Sequence, residues 1–116
     1  MNKVIGFQIT AQDESVINTF YQETFGWHAS AGPHEHVTNF DTGNESLQGS
    51  VIGRGGHIPD YVSLFVETDN LEETVETAVS NGATLIRPPF TLPDGVTLAI
   101  IADPEGHIVT LQLSNA

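Results

Sequence analysis

Every second residue is apolar in three stretches of the chain. Ile5, Phe7 and Ile9 interleave with Gly6, Gln8 and Thr10; Val62, Leu64 and Val66 with Tyr61, Ser63 and Phe65; and Val109, Leu111 and Leu113 with Thr110 and Gln112. Strand side chains point to opposite faces in turn, so each stretch predicts a strand with one strongly apolar face and one mixed face. The apolar faces are expected to carry helices. The mixed faces, small and hydrogen-bonding with an aromatic or two, are expected to face a cavity.

Helical spacing supplies the covering elements. Val16, Ile17, Phe20, Tyr21 and Thr24 predict a helix capped by Asp13, running to about Phe25 and stopped by Gly26. Leu71, Val75, Ala78 and Val79 form the apolar stripe of a second, capped by Asp69 or Asn70 and ended by Gly82. Glu72, Glu73 and Glu76 then occupy its solvated face, near the positive end of the helix dipole. Three extended segments follow each helix, at 27–31, 36–41 and 47–52 and at 83–87, 96–102 and 107–113, separated by turns such as Gly32-Pro33 and Pro93-Asp94-Gly95. The two helix-ending glycines lie 56 positions apart, so the chain reads as a repeat of one module. The predicted single domain comprises module one at 1–53, a Gly-rich linker at 54–59 and module two at 60–116.

Phe20-Tyr21 followed by Phe25-Gly26-Trp27, then Gly82-Ala83, Arg87-Pro88-Pro89 and the turn Asp103-Pro104-Glu105-Gly106 ahead of a final strand, resemble the vicinal oxygen chelate superfamily. That superfamily includes glyoxalase I, bleomycin-resistance proteins, fosfomycin-resistance proteins and extradiol dioxygenases. The resemblance covers nearly the whole chain. It implies an α+β fold of two βαβββ modules whose curled mixed sheets form a cleft, commonly completed by homodimerisation.

The resemblance also implies where a divalent metal would bind. The superfamily's His and carboxylate ligands, one from each of four strands, fall here on Gly6, Tyr61 and Thr110, with the fourth around Gly49 to Val51. Glycine and a neutral hydroxyl do not replace imidazole and carboxylate as metal ligands. No metal and no cofactor are therefore expected. Of the other histidines, His34 and His36 are spaced to share one strand face and to chelate, but no third ligand is fixed beside them. His28, His57 and His107 read as surface or structural residues.

Composition narrows the partners. The 116 residues include no cysteine, which excludes disulfides, thiolate metal sites and a cysteine nucleophile. Fifteen acidic against three basic residues give a formal charge of -12, which repels phosphate backbones and anionic lipid. Neither nucleic acid nor membrane is an expected partner, and with no signal-like start or long apolar run the expected location is cytoplasmic. The glycines around Arg54 lack the Lys-Ser or Lys-Thr of a phosphate loop, and no serine sits in a nucleophile elbow.

What remains is a neutral, hydrogen-bonding cleft. Its candidate ligand-binding residues are Gln8, Tyr61, Ser63, Phe65, Thr110 and Gln112, with Arg54 approaching from the linker. Gln8 and Gln112 are equally able to pair across neighbouring strands, and Tyr61 to close the core. The expected function is metal-independent binding of a small organic molecule, an aromatic or cationic compound that is sequestered rather than transformed. The alternative is a lyase, isomerase or dioxygenase-type enzyme with a relocated metal site, or a metal-free one using Tyr61 as an acid, for which that phenol would need a pKa well below its usual ~10.

Overall fold

Each strand–helix–three-strand run folds as its alternation dictates. The computed structural model describes residues 1–53 and 61–114. The elements are β1 (Lys3–Ala11), α1 (Glu14–Phe25), β2 (His28–Ala31), β3 (Val37–Asp41) and β4 (Gln48–Gly53), then β5 (Val62–Thr68), α2 (Leu71–Ser80), β6 (Thr84–Thr91), β7 (Thr97–Ala102) and β8 (Ile108–Leu113). The order βαβββ thus occurs twice in an α+β fold. One unit consists of Gly6–Val62, the other of Met1–Ile5 together with the chain from Ser63 onward. The predicted linker, with Arg54 and His57, lies outside the described residues.

In the first unit the strand order is β2-β3-β4-β1, with β1 parallel to β4 and the other neighbours antiparallel. A parallel β1–β4 pair needs a crossover, and α1 begins it. Asp13 caps α1 by accepting from the backbone N–H groups of Ser15 and Val16, and Gly26 ends it in the left-handed region at φ 72°. Ala11, Phe40 and Val51 form the buried centre, against which Ile9, Ile17, Tyr21 and Trp27 pack. Tyr21 lies flat on Trp27 with ring centroids 5.0 Å apart. Val16 and Phe20 differ from expectation, being 60% and 51% exposed. Ile17 and Tyr21 occupy the face that meets the sheet, and Phe20 packs edge-on against Tyr21 from outside.

In the second unit the order is β5-β8-β7-β6, with β5 parallel to β8 and β7 antiparallel to both neighbours. Asn70, not Asp69, is the cap of α2: its side chain accepts from the Glu73 backbone at 3.1 Å while its amide donates to the Glu73 carboxylate at 3.1 Å. Leu71, Val75, Ala99, Ile101 and Leu111 make the core, with Val66, Ala78, Val109 and Leu113 around it. Val62, Leu64 and Val79 remain exposed although they share the apolar pattern. α2 is ten residues long. It spans about 15 Å, and Val66 is the β5 residue packed against its cluster. β6 runs on to Thr91, through Pro88-Pro89, beyond the segment expected at 83–87.

Candidate functional site

Residues directly opposite one another in a sheet share a face. In the first unit the face away from α1 carries a row across all four strands, Gln8–Ser50–Asn39–Ser30. Gln8 donates from Nε2 to Ser50 Oγ at 3.2 Å, so its amide is engaged across strands. Asn39 and Ser30 were not among the residues predicted for the site. β3 does alternate in sequence, but only the register shows that its polar residues line up with Gln8. Tyr61 is tied to the same sheet through its backbone: its N–H donates to Thr10 Oγ1 at 2.9 Å and its carbonyl accepts from the Thr10 N–H at 3.1 Å. Burial raises the Tyr61 phenol above its ordinary pKa, so it stays protonated. That suits a hydrogen-bond donor and runs against the lowered pKa expected of an acid catalyst.

The second unit brings four of the predicted residues together. Thr110 lies opposite Phe65 and Ile100, and Ile100 opposite Arg87; beside that row run Glu67, Gln112, Leu98 and Phe90. Ser63, two residues before Phe65 on β5, joins the same face. Its hydroxyl is 2.9 Å from that of Thr110, both residues being fully buried. The two hydroxyls therefore satisfy each other. Arg87, which sequence reasoning used only as part of a family motif, places its guanidinium carbon 3.6 Å from the centre of the Phe90 ring. Arg54 is outside the described residues.

The donor set does not fit the divalent ion that the resemblance implies. A Cβ built on Gly6 would run into the backbone carbonyl oxygen of Gln48 on β4, so no ligating side chain fits there without moving a strand. Thr110 is committed to Ser63, and Gly49, Ser50 and Val51 offer neither imidazole nor carboxylate. His34 and His36 sit in the turn before β3 rather than along a strand, and His36 has a φ of 66°. His36 Nδ1 meets Glu14 Oε1 at 2.7 Å, which raises its pKa. Among the described residues no three His, Cys, Asp or Glu side chains are grouped to hold a metal ion.

Two surface depressions, each of about 380 Å³, lie at helix starts: one is lined by Asn2, Thr68, Asn70, Glu73 and Thr77 at the start of α2, the other by Thr10, Ala11, Asp13, Val16 and Ile17 at the start of α1. Among the described residues no helix is long and apolar enough to cross a membrane.

Paired βαβββ runs with a polar sheet face define a class. The model of the family described as "Glyoxalase-like domain" matches residues 6–111, and the chain belongs to that family. No curated protein matches the sequence. Among solved structures, a hypothetical protein from Bacillus halodurans C-125 is similar at 13% identity and a TM-score of 0.72, over 99% of this chain and 96% of that one. A glyoxalase/bleomycin resistance protein/dioxygenase superfamily member from Vibrio splendidus 12B01 follows at 12% identity and 0.68, over 98% and 100%. Methylmalonyl-CoA epimerase from Streptomyces coelicolor, in complex with 2-nitronate-propionyl-CoA, is similar at 13% and 0.66, over 100% and 99%. These likenesses establish the glyoxalase/bleomycin-resistance fold.

Proposed function

We propose that this protein binds a small organic molecule without a metal ion, holding an aromatic or cationic compound against the polar sheet faces. Each unit by itself offers candidate contacts: Gln8 and Tyr61 on one, and Ser63, Phe65, Thr110 and Gln112 on the other, with Arg54 as a further candidate. The observation that carries the reading is Gly6. The strand position where the superfamily places its first ligand is closed by the Gln48 carbonyl, whereas the neighbouring Gln8 and Ser50 remain hydrogen-bonding groups on the same face. A cytoplasmic homodimer belongs to the same proposal. β2 and β6 each end their sheet and leave an edge that a second copy would cover.

The test has two parts. The purified protein is soaked with Ni²⁺, Zn²⁺, Mn²⁺ and Fe²⁺ under non-oxidising conditions and its metal content measured; the expectation is no stoichiometric ion. A panel of aromatic and cationic compounds is then screened by thermal shift with and without chelator, and at least one compound should raise the melting temperature equally in both. A stoichiometric ion lost on His34→Ala and His36→Ala would overturn the metal-free reading and turn the search to the substrates of the competing one, a lyase, isomerase or dioxygenase with a relocated metal.

A further inference from the structure

The register of β6 contains two irregularities, and both act on the same pair of residues. Thr84 pairs with Ala102 and Leu85 with Ile101. Continued without interruption, that pairing would set Ile86 opposite Ile100 and Arg87 opposite Ala99, on the face packed by α2. Instead Arg87 lies opposite Ile100, so one extra residue has turned it to the other face. A second extra residue between Arg87 and Phe90 sets Phe90 opposite Leu98, again on that face. Bulges of this kind re-aim side chains.

Local sequence holds the result in place. Pro88 restricts Arg87 to extended backbone, and bulged edge strands tolerate the N–H groups that Pro88 and Pro89 lack. The guanidinium then stacks on Phe90 at 3.6 Å. Stacking occupies the cation's flat surface and leaves its N–H donors pointing outward in one plane, the geometry that grips a carboxylate with two parallel hydrogen bonds.

Arg87 also lacks an acidic partner where acids are plentiful. The chain has fifteen Asp and Glu against three Lys and Arg, yet Arg87 forms no ion pair among the described residues. Glu67, the carboxylate of the adjacent row, is three strands away, about 14 Å at ordinary strand spacing. It lies 3.9 Å from Lys3. Beside Arg87 the face is neutral: half-buried Ile100 lies opposite it and Phe90 is stacked on it, with buried Leu98 opposite Phe90.

We infer that Arg87 is an anion anchor and that the ligand of this face is a planar aryl monocarboxylate, its carboxylate on the guanidinium and its ring over Ile100. A single cation in a field of -12 suits one negative charge and disfavours phosphates and polyanions. The inference rests on the small-molecule reading above and narrows "aromatic or cationic" to aromatic and anionic.

Three probes of matched shape decide it: benzoate, benzamide and benzylamine, titrated by calorimetry and by the Arg87 Nε–H resonance. Benzoate is expected to bind roughly tenfold more tightly than benzamide and to shift that resonance, as one charge-assisted bidentate pair implies. Arg87→Ala abolishes the preference, Arg87→Lys restores only part of it, and Phe90→Leu weakens it. Arg87 is exposed, so its Ala and Lys variants should keep the wild-type melting temperature. Equal binding of benzoate and benzamide, or tighter binding of benzylamine, overturns the anion anchor while leaving small-molecule binding in place. A benzoate preference that survives Arg87→Ala also overturns it. If no probe binds, the anchor falls, and the broader compound panel decides separately whether the small-molecule reading falls with it.

Discussion

Removing the hydroxyl of Ser63 tests whether the polar centre of the second unit is structural as well as a candidate contact. Ser63 is 1% exposed and Thr110 5%. Ser63 Oγ donates to the Leu64 carbonyl at 3.1 Å, which leaves Thr110 to donate to Ser63 Oγ at 2.9 Å. Ser63→Ala therefore strands a buried hydroxyl on Thr110, at a cost of about 1–3 kcal/mol. Thr110→Val is milder, about 1 kcal/mol, because Ser63 keeps its bond to the Leu64 carbonyl. With both hydroxyls gone nothing is stranded, and the double variant should lose less than the sum of the singles by about 1–2 kcal/mol. Urea unfolding at constant m-value measures all four corners of the cycle. In thermal melts each kcal/mol corresponds to roughly 3–5 °C for a chain of this length. Additive singles, agreeing within about 0.5 kcal/mol, would refute the pairing. A neutral Ser63→Ala would refute it more directly. If the double variant folds and binds ligand as the wild type does, the two hydroxyls serve the sheet rather than the ligand.

Gly6→His, which restores a metal-ligating side chain, should lower stability by more than about 2 kcal/mol and gain no stoichiometric Ni²⁺ or Zn²⁺, because the Gln48 backbone carbonyl occupies the Cβ position; a stable variant that takes up metal would overturn this. Leu111→Ala should destabilise by about 2–5 kcal/mol, whereas Val62→Ala, at a position 60% exposed, should stay within about 0.5 kcal/mol, as read from chemical denaturation midpoints. Glu14 raises the His36 pKa from its ordinary 6.5, so this pair contributes stability while His36 is protonated and loses it as pH rises through the raised value. The stability gap between wild type and Glu14→Gln should therefore be larger at about pH 5.5 than at about pH 8.5, and a gap independent of pH would show the contact to be uncharged.

Much of this architecture was legible because its signals are local. Alternation located β1, β5 and β8, and the cap Asp13, the pair Asp69-Asn70 and the glycines after each helix marked where α1 and α2 begin and end, the structure choosing Asn70. Exposure was less legible. A period of two says which residues share a face, but Val62, Leu64 and Val66 share one and only Val66 packs into the core, since the reach of α2 along the strand is a tertiary quantity. The strand carrying Arg87 was cut short for a similar reason. Pro88-Pro89 reads as a strand end because proline removes ladder donors, and an edge strand with two extra residues escapes that penalty in a way visible only from its pairing with β7.

Gly6 shows most clearly where residue-level reasoning stops and packing takes over. From the chain alone its meaning is negative: glycine carries no ligand, so a metal site expected at that strand lacks one of its donors. The fold turns the same residue into a positive constraint, because β4 lies so close to it that any Cβ would meet a backbone carbonyl that cannot rotate away. A lost ligand can in principle be restored by one substitution. Here the strand pairing of β1 with β4, which places Gly6 opposite Gln48 and Gln8 opposite Ser50, would first have to shift. A one-residue slip would turn the Gln8 face inward and expose Ile9. The geometry that excludes the ligand is thus the geometry that builds the polar row, and neither can be changed without the other.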